Sequence, residues 1–113
     1  MNIQTDAGEI LLYIYDCYVN DKDHVNPEML LKTTNWAGDR IDRALQYLKD
    51  IDAIDLTFNL GDMKGLRNFI LESVTPIGTG IVENKPEFKR KFGFEVNIGL
   101  NPSLKFNWSV SEK

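Results

Sequence analysis

The residues able to do chemistry in this 113-residue sequence are few, and their spacing limits what they can do. Cys17 and His24 stand seven positions apart, and the chain holds no second cysteine or histidine to complete a metal site. They read as a core thiol and a surface imidazole. Asp50-x-Asp52-x-x-Asp55 offers carboxylate oxygens at a calcium-like spacing. An EF-hand loop begun at Asp50, however, needs glycine where Asp55 stands and glutamate where Gly61 stands. Gly78-x-Gly80 opens like a dinucleotide loop but meets Glu83 in place of the third glycine. No nucleophile has a base at readable spacing, so the expectation is a protein that is not an enzyme and carries no metal or cofactor.

Charge is the next source of chemistry. The net charge is −4, but residues 1–84 carry 7 Lys/Arg against 14 Asp/Glu, whereas residues 85–113 carry 6 against 3. An acidic body disfavours binding driven by phosphate attraction alone. Lys85, Lys89, Arg90 and Lys91 form the one basic run, which reads either as a phosphate grip or as a solvated linker. The single cysteine excludes an internal disulfide and suits a reducing interior. No stretch approaches the roughly 20 apolar residues of a membrane span, and no secretory signal is readable, so a cytoplasmic protein is expected.

These residues must be held by elements that the sequence patterns predict. Asp6 with Glu9 resembles a capping box for a first helix, apolar on nearly every side from Ile10 to Val19 and therefore expected to be covered on more than one face. Asn26-Pro27 opens a short second helix as cap and first helical residue, ending near Thr33-Thr34. A third helix, from about Ala37 to Ile51, buries Ile41, Ala44, Leu45 and Leu48 and turns Asp39, Arg43, Gln46 and Asp50 outward. Ile54–Phe58 and Phe69–Val74 read as a hairpin with a long tip, and Thr75-Pro76 opens a fourth helix. Lys85-Pro86 is expected to break the chain. Strict alternation from Phe92 to Leu100 and from Leu104 to Val110 then predicts a second, C-terminal hairpin.

Residues Val25 to Glu83, about half of the chain, resemble the small archaeal and bacterial winged helix-turn-helix regulators. The likeness rests on Val25-Asn26-Pro27-Glu28-Met29-Leu30 at the start of the second helix and on the turn Thr34-Asn35-Trp36. Ile41-Asp42-Arg43-Ala44-Leu45-Gln46-Tyr47-Leu48 is similar to a recognition helix, and Thr75-Pro76-Ile77-Gly78 to the helix after a wing. Asn35 departs from the usual glycine of the turn, and Ala37-Gly38 stand where a serine cap and an acidic first turn are typical. The implied fold is α+β: a three-helix core, a β-hairpin wing and a fourth helix over residues 1–84. Residues 85–113 add a basic linker and a C-terminal β-hairpin.

The resemblance implies a transcriptional regulator reading double-stranded DNA, with Arg40, Arg43 and Gln46 at base edges. Lys32, Lys64 and Arg67 would meet phosphate, with Lys89, Arg90 and Lys91 beside the wing. The alternative is a winged-helix adaptor that binds protein, because the third helix is nearly neutral and a fold does not fix a function. The C-terminal hairpin, through Phe94, Phe106 and Trp108, is expected to cover Tyr13 and Tyr15 on the first helix. It would do so either within one chain or across the two-fold axis of a homodimer.

Overall fold

The computed structural model describes residues 2–20 and 24–95. Among these the chain is α+β, with five helices and one antiparallel hairpin. The order is α1 (Ile3–Val19), α2 (Pro27–Thr34), α3 (Gly38–Asp50), β1 (Ile54–Met63), β2 (Leu66–Val74), α4 (Pro76–Val82) and α5 (Lys85–Phe92). The predicted C-terminal strands beyond Glu95, with Phe106 and Trp108, lie outside the described residues.

Helix α1 starts four residues earlier than the capping-box pattern predicts. Asn2 is its cap, its side-chain oxygen accepting from the backbone N–H of Gln4 at 2.8 Å and of Thr5 at 3.4 Å. Asp6 is thereby released from capping and turned inward. Its carboxylate accepts from Arg40 Nε at 2.9 Å and from Nη2 at 3.0 Å, a fork that matches both oxygens. Both side chains are only 4% exposed, and the guanidinium lies 3.9 Å from the centre of the Trp36 ring. One buried contact therefore ties α1 to α3 and to the turn before it.

Helix α2 forms as its sequence dictates. Asn26 caps it by accepting from the Met29 N–H at 2.8 Å, and Asn35 ends it in the left-handed region at φ 58°. The Thr34 hydroxyl donates to the Leu30 carbonyl and accepts from the Trp36 N–H, which satisfies a buried turn. Helix α3 begins at Ala37 without any side-chain cap. Gly38 explains how the chain can pass here, because a Cβ at this position would lie 2.1 Å from the Lys64 carbonyl oxygen. The hairpin turn is seated on the first turn of α3. Ile41, Ala44, Leu45 and Leu48 are all fully buried, as their spacing predicts.

The hairpin is longer than expected and its turn tighter. Lys64 (φ 55°) and Gly65 (φ 91°) form a two-residue turn with both residues left-handed, the conformation whose twist suits a hairpin. The extra length is absorbed by a bulge. Phe58 pairs with Phe69 and Asp62 with Arg67, so Asn59, Leu60 and Gly61 together face only Asn68. Leu60, on this bulge, is 96% exposed.

Thr75 caps α4 as predicted, accepting from the Gly78 N–H at 3.0 Å while donating to the Asp52 carbonyl at 2.6 Å. Lys85-Pro86 does not break the chain. Asn84 caps a fifth helix there, accepting from the Glu87 N–H, and Pro86 occupies its first turn. The supposed linker is thus helical, and Phe92, read as the first residue of a strand, is its last residue. Phe88 and Phe92, one turn apart, are fully buried and anchor α5. Helices α3, α4 and α5 and strand β2 all pack on α1, so most of its apolar surface is covered within the chain, with Ile3 and Val19 at its ends left exposed.

Removing one partner of the buried pair strands a charge, so Asp6→Ala should lower unfolding free energy by about 3–5 kcal/mol. The double variant Asp6→Leu/Arg40→Met should recover most of that loss. Urea unfolding midpoints of the three proteins check this, and equal midpoints for wild type and Asp6→Ala would refute it.

Candidate nucleic-acid interface

Successive residues of α3 turn by about 100°, which places Asp39, Arg43, Gln46 and Asp50 along one outward strip. Each long edge of this strip is fixed to a different part of the molecule. On one edge Arg40 meets Asp6, and the Tyr47 hydroxyl accepts from Gln4 Nε2 at 3.4 Å. The Tyr47 ring also meets Phe92 edge-on at 6.5 Å between centroids, which brings the C-terminal end of α5 to this edge. On the other edge Lys49 Nζ donates to the Leu56 carbonyl at 2.8 Å, and Gly38 lies under the hairpin turn.

Arg67 of β2 makes the strongest contact between hairpin and strip. Its Nε donates to both oxygens of Asp42, at 3.0 and 3.2 Å, and its Nη2 donates to Oδ2 at 3.0 Å. Nη2 also donates to Gln46 Oε1 at 2.9 Å, and the Arg67 backbone N–H donates to Asp42 Oδ1 at 3.0 Å. The guanidinium stacks 3.7 Å above the centre of the Phe58 ring. Helix and hairpin consequently present one continuous surface.

The remaining groups of the strip are also engaged. Arg43 pairs with Asp39 at 3.2 Å, and Gln46 Nε2 donates to Asp50 at 2.8 Å. Asp39 and Asp42 pair with Arg43 and Arg67, Asp50 accepts from Gln46, and Lys64 at the hairpin turn adds a third cation nearby. The near-neutral helix seen in the sequence remains near-neutral once its neighbours are added.

The predicted contact residues are therefore sorted. Arg40 is corrected: it is buried against Asp6 and Trp36 and is not offered to a base edge. Arg43 is half exposed and points outward, Gln46 is half-buried between Asp50 and Arg67, and Arg67 is clamped to Asp42. Lys32 on α2 and Lys64 at the turn are exposed, as are Lys89 and Arg90 on α5, with Lys91 half-buried. Arg90 pairs with Glu87 on its own helix.

The aromatic residues expected at a dimer interface are partly buried inside this one chain. Tyr13 and Tyr15 pack against the core, and Phe94 meets Phe88 edge-on at 5.2 Å. The Tyr15 hydroxyl donates to Glu83 at 2.6 Å and joins α1 to the end of α4. Burial, then the bond to and the charge of Glu83, push this phenol up to about 12.

Local patterns read Asp6 as a helix cap and gave no sign of its pairing with Arg40, 34 positions away, or of Phe58 as the platform beneath Arg67. Asp42 was visible only as one residue of the segment similar to a recognition helix. Among the described residues no cluster of three His, Cys, Asp or Glu side chains is arranged to hold a metal, and no helix is long and apolar enough to cross a membrane. No family model, curated protein or solved structure matches the chain.

The folded state holds the Tyr15 proton more tightly than an unfolded chain does. Its contribution to stability is complete below pH 10 and is lost as pH rises through about 12. Alkaline titration followed by phenolate absorbance should show a tyrosine ionising near pH 12 in wild type but not in Tyr15→Phe. An unchanged titration curve in the variant would refute the assignment.

Proposed function

We propose that this chain is a winged-helix module that binds duplex DNA, with α3 as the helix offered to the major groove and the hairpin as its wing. The observation that carries the reading is the Arg67 clamp, which fixes the hairpin against the outward strip of α3 so that both can meet one ligand. DNA binders of this architecture need that fixed geometry between helix and wing. Arg43 is the arginine of the strip that reaches outward, the side chain suited to a guanine edge.

Phosphate contacts come from lysines around the strip. Lys64 sits at the end of α3 beside Gly38, and Lys89 and Lys91 lie in the last turn of α5, whose Phe92 meets Tyr47. Lys32 adds a fourth cation on α2. These lysines form no ion pair among the described residues, so their ammonium groups remain available to phosphate oxygens. In a protein of net charge −4 such binding is modest in strength.

One observation favours a second reading, a winged-helix adaptor for a protein partner: the cations of the strip are already neutralised by its own carboxylates. A salt titration of binding to a random-sequence duplex separates the two. If the four lysines each neutralise one phosphate, log K should fall against log salt with a slope of about −3 to −4. Lys64→Ala should flatten that slope by about 0.9 without changing the unfolding midpoint. Absence of binding even at low salt would overturn the DNA reading and leave the adaptor.

A further inference from the structure

We infer that Asp42 and Asp39 are autoinhibitory stand-ins for the duplex, Asp42 for a phosphate on Arg67 and Asp39 for the base edge that Arg43 would read, each holding its arginine until a duplex displaces it. The inference rests on the DNA reading and adds to it a control on affinity. A guanidinium fork binds a carboxylate and a phosphate with the same paired geometry, so Asp42 occupies the place that two phosphate oxygens would take. The exposure of the pair is unequal: the Arg67 side chain is 44% exposed and that of Asp42 only 17%. The cation is therefore open to solvent above its partner, and a phosphate can approach it before the carboxylate is released.

Both groups are provided for once they separate. Arg67 stays in place on the Phe58 ring, 3.7 Å below it. Asp42 keeps the Arg67 backbone N–H, which donates to Oδ1 at 3.0 Å independently of the side chain. Exchange of partner leaves neither a swinging arginine nor an orphaned charge. The Asp39–Arg43 pair is simpler: it links consecutive turns of α3, and its side chains are 63% and 49% exposed. Exposed pairs of this kind give way readily to a competing anion. In this arrangement wild-type protein binds DNA more weakly than its arginine content implies, and the acids set that threshold.

The test uses the full chain and a random-sequence duplex. Asp42→Asn should bind about three- to tenfold tighter than wild type at the same salt slope, because both complexes carry the Arg67–phosphate contact and only its competitor is gone. Asp55→Asn, the same charge change at an exposed position at the base of the hairpin, should tighten binding by less than about twofold. The double variant Asp42→Asn/Arg67→Gln should lose the gain. Asp39→Asn, whose ion pair lies within α3, repeats the test through Arg43 without touching the hairpin clamp. Equal affinities for Asp42→Asn and Asp55→Asn, or a gain kept by the double variant, would overturn the inference while wild-type binding leaves the DNA reading standing. If neither wild type nor Asp42→Asn binds at low salt, the DNA reading fails and takes the inference with it.

Discussion

The architecture depends on a charged pair closed off from water between α1 and α3. A guanidinium and a carboxylate at 4% exposure have lost their hydration, and the fork geometry with a tryptophan ring over the cation is what makes that loss tolerable. A pair of this kind adds little net stability compared with apolar residues of the same size. What it supplies is uniqueness, since α3 can rotate about its axis in only one way that satisfies Arg40. That rotation decides which side of α3 turns outward, and so which residues compose the strip.

Two arginines 27 positions apart in the sequence, Arg40 and Arg67, illustrate how context divides one side-chain type into different roles. Each forms a fork with an aspartate and each stacks on an aromatic ring. Arg40 is enclosed and holds the helices together. Arg67 stays half open to solvent on the surface of the hairpin, where its partner can be exchanged. The same pairing chemistry thus serves as a core fastening on one edge of α3 and as a surface clamp on the other.

Much of the fold was legible because its signals are local. Asn26-Pro27 and Thr75-Pro76 announce helix starts within four residues, and the buried face of α3 is written in its own spacing. What escaped depends on distant partners. Phe92, Phe94 and their neighbours alternate like a strand, yet Phe88 and Phe92 also stand one helical turn apart, and burial against α1 decides for the helix. Asp6 satisfies the sequence rule for a cap, but Asn2 caps and the buried arginine claims Asp6. The site was half legible for the same reason: spacing placed Arg40, Arg43 and Gln46 on one helix, and only the packing of α1 separates the first from the other two.

The close seat of the hairpin on Gly38 ties the folding of the two together. With the Lys64 carbonyl oxygen in the space a methyl group would need, the first turn of α3 and the hairpin turn cannot be ordered independently. The contact joins residues 26 positions apart, so the start of the helix and the turn of the hairpin each complete the other's packing. Helix N-terminus and hairpin tip then open and close as one cooperative unit, protected from hydrogen exchange together or exposed together.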